Sequence, residues 1–132
     1  MEPYIREATE FTPKVHFDAE TNIFELSGFS RPENVIGFYK PLLNWLEKYQ
    51  DEVLVKNVDF DKSIITFNAK LTYFNSASSK FILDLFLELF KFQSKGNSVV
   101  VNWFYEDGDD EILESGEEIA DMVGMQFNFI SY

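Results

Sequence analysis

Apolar and polar residues alternate along KVHFD (14–18), with Val15 and Phe17 set between Lys14, His16 and Asp18. A two-residue period of this kind marks a strand with one buried face. After a turn the alternation resumes. Ile23, Glu25 and Ser27 lie on one side of a second strand and Phe24 and Leu26 on the other, and Gly28 is expected to close it. The period then lengthens. Val35, Phe38, Leu42, Trp45, Leu46 and Tyr49 recur at helical spacing. Pro32 and Glu33 suit the first turn, where proline lacks only an unused donor and an acid meets the positive end of the helix dipole. Pro41 falls inside the pattern and predicts a kink or a split. Residues 51–75 hold two β-rich runs around Asp61-Lys62, which read as a hairpin. Residues 76–94 form a strongly apolar helix. Residues 96–106 form a near-continuous apolar run, as in a central strand buried on both faces. Residues 109–124 form a third helix, acidic and ending at Gly124, and MQFNFISY a last strand.

The predicted order is ββαββαβαβ in one domain spanning 1–132, with residues 1–12 a loosely held lead-in. The last three strands alternate with helices, so right-handed crossovers and parallel pairing follow. The fold class is α/β, a mixed sheet with helices packed on it.

Composition narrows the function. The chain has 132 residues, of which 45% are hydrophobic and 15 are phenylalanine, enough for a sizeable core. Its formal net charge is -12, from 23 acids against 11 bases. A surface of that sign repels phosphate backbones and anionic lipid, so neither nucleic acid nor membrane is an expected partner. The absence of cysteine excludes disulfides and thiolate chemistry. No signal peptide is visible, and the longest apolar run, 81–92, carries Asp84, Glu88 and Lys91 and is too short to span a bilayer. A soluble cytoplasmic protein is expected.

The phrase YFNSASSK (73–80) precedes the apolar helix. Its small hydroxyls are first a capping device, with Asn75 or a serine accepting from free N–H groups. A helix N-terminus is also a favourable seat for phosphate. At about 100° per residue the one polar stripe of this helix is Lys80, Asp84, Glu88 and Lys91. Leu83, Leu87 and Phe90 extend the apolar arc beyond what a sheet normally covers. Another element of the domain covers that flank, or it is a docking patch. Ser76 lies at nearly the same angle as Leu83 and Leu87.

The stretch Glu106–Glu118 contains eight acids. Asp107, Asp109, Glu111 and Glu118 fit four positions of a calcium loop, but Ile112 stands where that loop requires glycine. The commoner reading is a solvated helix start, with Asp109, Asp110 and Glu111 facing the dipole, and these acids can also meet a basic partner. His16 is the single histidine and is expected to face solvent. There is no phosphate-binding glycine loop, and one histidine without cysteine builds neither a triad nor a zinc site. No catalytic constellation, metal site or cofactor site is read.

Four segments together resemble the SiaC family of bacterial regulatory phosphoproteins: FTPKVHFD (11–18), LSGFSRPENVIGFYKPLLNWLEKY (26–49), LTYFNSASSKFILDLF (71–86) and VNWFYEDGDDEILESGEEIADMV (101–123). The resemblance implies a fold similar to STAS-domain anti-sigma-factor antagonists. It implies a non-enzymatic protein phosphorylated by a partner kinase at the start of the helix after Asn75 and restored by a metal-dependent serine/threonine phosphatase. It further implies that the unphosphorylated form activates a diguanylate cyclase, raising cyclic di-GMP and promoting biofilm. The family's acceptor threonine aligns with Ser76, and Ala77 stands where the family has serine. Ser78 and Ser79 are rival acceptors. The expected docking face comprises Asn75, Ser76, Lys80, Leu83 and Leu87 with Asp107, Asp109 and Asp110. The competing reading is a constitutive protein–protein adaptor of the same fold that is no longer phosphorylated.

Overall fold

The computed structural model describes residues 1–56 and 64–132. Among these residues six strands form one sheet in the order β1 (Tyr4–Arg6), β2 (Lys14–Asp18), β3 (Ile23–Ser30), β4 (Ile65–Phe74), β5 (Val99–Tyr105) and β6 (Phe127–Ser131). The first three strands are antiparallel, and β3 to β6 are parallel. Helices α1 (Val35–Tyr49), α2 (Ser76–Ser94) and α3 (Asp110–Val123) make the three crossovers. The expected mixed α/β domain is therefore observed. Among the described residues no helix is long and apolar enough to cross a membrane.

All three helices lie on one face of the sheet. Phe24, Phe67, Val101 and Phe127 share a register row and are buried against them. Successive crossovers that each step one strand in the same direction with the same hand must stack on the same side. Among the described residues no helix covers the other face. There Glu25, Asn68, Asn102 and Asn128 form a polar row, and Asn128 and Asn102 donate in turn to Asn102 and Asn68 at 3.1 and 2.9 Å. The expectation that β5 is buried on both faces is thus overturned. Only Val101 and Trp103 are buried, because the apolar run faces helices on one side only.

The element order differs from the expected one in its first half. The supposed lead-in contains β1, which pairs Tyr4 with Phe17 and Arg6 with Val15, and Trp45 Nε1 donates to Glu2 O at 3.0 Å. The described start of the expected hairpin's first run, residues 51–54, is helical instead. Gln50–Leu54 continues α1 as a π-helical segment, since the apolar residues Val53 and Leu54 pack on the core from a helix as readily as from a strand. The rest of that run, with the Asp61-Lys62 turn, lies outside the described residues. Helix α1 starts later than expected, because Asn34 caps it by accepting from Gly37 N at 3.0 Å, leaving Pro32 and Glu33 ahead of the first turn. It is continuous through Pro41. Gly28 lies inside β3 rather than closing it. Its φ of 112° accompanies a register shift, with Thr72 the extra residue on β4, after which Phe74 rather than Tyr73 turns inward, while Ser30 keeps the inward parity of Phe24 and Leu26.

Candidate functional site

In a parallel sheet the loops after the strands gather at one end, where open α/β sheets bind their partners. Here that end carries Asn75 after β4 and residues 106–109 after β5. The two halves of the expected site, the serine phrase and the acidic turn, are therefore brought to the same edge of the sheet.

Asn75 caps α2. Its backbone is extended (φ -81°, ψ 173°), and its Oδ1 accepts from Ser78 N at 2.9 Å. Ser76 is the first helical residue and is exposed. Ser78 is fully buried. The Tyr39 and Ser30 hydroxyls are 2.6 Å apart, Ser30 Oγ donates to Ser78 Oγ at 3.0 Å, and Ser78 Oγ donates to Ser30 O at 3.2 Å. Asn75 N donates to the same carbonyl at 3.1 Å. The start of α2 is thus tied to the end of β3. Burial pushes the Tyr39 hydroxyl up to about 12, the two serines opposing that shift only in part. Ser79 is half-buried, and Lys80 is exposed with its Nζ 3.9 Å from Asp84 Oδ2.

Helix α3 is held against β5 through Trp103, whose Nε1 donates to Ile112 O at 2.9 Å. Gly116 permits this close approach, since a Cβ there would come within 2.5 Å of the Trp103 ring nitrogen. The result is an open groove of about 290 Å³ between α2 and α3. Ser76, Lys80 and Leu83 line one side, and Glu118, Ile119 and Met122 the other. Leu87 and Phe90 continue the α2 flank and are each 39% exposed, while Met122 is 68% exposed. This flank of α2 is therefore not covered by the domain's described elements. The expected polar stripe is not solvated throughout. Lys80 and Lys91 are exposed, but Glu88 is buried, with Oε1 2.9 Å from Lys91 Nζ and Oε2 without a partner among the described residues.

Asp109 caps α3, accepting from Ile112 N at 3.1 Å, while Asp107 and Asp110 are exposed. Sequence reasoning missed the α3 side of the groove and the Tyr39–Ser30–Ser78 network. Met122, an apolar residue of α3 beside the buried Ile119 and Val123 but itself exposed, was the available signal for the first. Among the described residues no cluster of His, Cys, Asp and Glu could hold a metal ion.

Fold and groove define a small one-faced α/β domain that presents a serine hydroxyl and apolar side chains together on its surface. Residues 6–132 match the family described as SiaC family regulatory phosphoprotein, and the chain belongs to that family. It is 22% identical over 119 residues to an uncharacterized protein of Pseudomonas aeruginosa strain UCBPP-PA14, covering 90% of this chain and 88% of the relative. Its fold is that of apo-SiaC from Pseudomonas aeruginosa, with a TM-score of 0.81 at 21% identity over 99% of this chain and 98% of the other. A second similar structure is that of the diguanylate cyclase SiaD in complex with its activator SiaC from the same organism. There the TM-score is 0.85 at 20% identity, over 98% of this chain and 99% of the other.

Proposed function

We propose that this chain is a phosphorylation-controlled activator whose unmodified form docks a diguanylate cyclase through the α2–α3 groove. A protein kinase modifies Ser76, and a metal-dependent serine/threonine phosphatase restores it. The observation that carries this reading is the position of Ser76, an exposed hydroxyl lining the same groove as Leu83 and Met122. Family membership supports a regulatory phosphoprotein, and the solved relative with a cyclase supports the partner class.

Burial favours Ser76 over one of its rivals. A kinase cannot reach Ser78 without breaking the contacts between α2 and β3, whereas Ser76 needs no such opening. A phosphate adds about -1.5 to -2 charges near neutral pH. At the first position of α2 it faces free N–H groups and the dipole, so the fold tolerates it. A docking partner must then desolvate a doubly charged group beside Leu83 and Glu118, and binding weakens.

The test is cyclase binding by wild type, wild type phosphorylated in vitro, and Ser76→Ala. Unmodified protein and Ser76→Ala should bind alike and raise cyclic di-GMP synthesis. The phosphorylated form should bind at least about tenfold more weakly, roughly 1.4 kcal/mol. Phosphate found on Ser79 with Ser76 free, or equal binding by both forms, overturns the reading. Intact protein from its native cells without any phosphorylated fraction would favour the constitutive adaptor.

A further inference from the structure

The two edges of the sheet are treated differently. Strand β1 is three residues long, follows Pro3 and ends in Arg6. Short length, proline and charge are the usual means of blunting an edge. Strand β6 has none of these in FNFIS, and the sheet ends there.

The backbone direction at that edge follows from parity. Tyr132 N donates to Tyr105 O, and Asp107 N donates to Tyr132 O, so residue 132 turns its peptide groups toward β5. Within a strand alternate residues turn the same way. Residues 128 and 130 therefore also face β5. Phe127, Phe129 and Ser131 point their N–H and C=O groups to the other edge, which no strand among the described residues pairs.

Beside this edge runs a groove of about 380 Å³ between β6 and α3. Phe127, Phe129 and Met125 form its apolar side, with Glu117 and Asp121 on α3 and no basic residue lining it. On the opposite face of the sheet, the Asn68–Asn102–Asn128 ladder runs up to the same edge and ends at Asn128.

We propose that the β6 edge is a docking site for an extended basic segment of a partner protein, which adds as a seventh strand. Main-chain hydrogen bonds to Phe127, Phe129 and Ser131 supply the pairing. Alternate side chains of the added strand enter the groove. A lysine or arginine there lays its stem on the phenylalanine rings and brings its charge to Glu117 and Asp121. The intervening side chains stand beside Asn128, where a small polar residue continues the ladder. The same acids disfavour a second copy of this chain, because pairing β6 with β6 would bring two chains of net charge -12 together. This surface is distinct from the Ser76 groove.

Three peptides test the site: one alternating lysine and threonine, one with glutamate for lysine, and one with N-methylated backbone amides. The lysine peptide should bind, more weakly as salt rises, and should protect the Phe127, Phe129 and Ser131 amides from hydrogen exchange. The glutamate and N-methylated peptides should bind at least about tenfold more weakly. Ser131→Pro removes an outward donor without touching the β5 ladder, so it should melt like wild type and lose at least about tenfold in peptide affinity. Ser131→Ala should bind normally, and Ser76→Ala should be indifferent. Equal binding of the N-methylated peptide or by Ser131→Pro would show adsorption of a cation only and overturns the proposal. Concentration-dependent protection of the three amides without peptide overturns it in favour of self-pairing.

Discussion

Ser30 and Ser78 stand 48 positions apart in the chain and 3.0 Å apart at their hydroxyls, sealed from solvent. This contact fixes α2 against β3 and decides which hydroxyls of the serine phrase face outward. Ser78→Ala leaves the Ser30 hydroxyl buried without its acceptor. It should cost about 1–3 kcal/mol in urea unfolding and leave phosphorylation of Ser76 in the folded protein intact. A neutral Ser78→Ala would mean that the network does not hold the helix start.

Tyr39 gives the same network a pH signature. Its hydroxyl is held near 12 against an ordinary value near 10, so the folded state keeps a proton that the unfolded state releases. The stabilisation is complete below about pH 10 and is lost as pH rises toward about 12, on the order of 2–3 kcal/mol in all. Tyr39→Phe should flatten that part of the stability profile. An unchanged slope in Tyr39→Phe would assign the alkaline loss to other groups, such as the buried Tyr49, whose hydroxyl burial also pushes up.

On α2, neighbouring leucines should respond in opposite ways. Leu87 is partly exposed on the groove flank, and Leu89 is fully buried. Leu87→Glu should keep the melting temperature within a few degrees and weaken partner binding. Leu89→Glu strands a carboxylate in the core and should cost several kcal/mol. A collapsed Leu87→Glu would show that the flank is needed for folding and is not a docking face.

The acidic turn separates by role. Asp109→Ala removes the α3 cap and should lower stability by about 0.5–2 kcal/mol. Asp107→Asn and Asp110→Asn leave that cap in place. Together they should cost no more than the roughly 0.3–1 kcal/mol that Asp110 gains from the helix dipole, while slowing association with a basic partner surface at low salt. Stopped-flow association rates across a salt series check this, and a salt-independent rate would remove steering from the account.

Phosphoserine at position 76 should melt no lower than unmodified protein and gain roughly 0.3–1 kcal/mol from the helix dipole. Calorimetry of the two forms decides it. A clear destabilisation would place the effect of the phosphate on folding rather than on docking.

The sequence by itself determined the elements whose patterns are local. Helix α2 spans the 76–94 read from its capping phrase and apolar run, and the alternation in β2 and β3 sets which side is buried. The parallel half of the sheet followed from alternating strands and helices. Only the tertiary structure decided the rest. Three residues of β1 carry no readable period, and they are a strand only because β2 offers an edge to pair with. Val53 and Leu54 could be buried from a helix or a strand, and continuation from α1 settled which. Apolar β5 is covered on one face alone because every crossover lays its helix on the same side. Ser76, Ser78 and Ser79 are chemically alike, and what sets Ser78 apart from the other two is a partner on β3 far away in the chain. Met122 and Glu118 join the groove because Gly116 lets α3 settle onto Trp103. Periodicity records how a segment meets water, whereas the choice among chemically equal residues rests on contacts between distant segments that no local pattern contains.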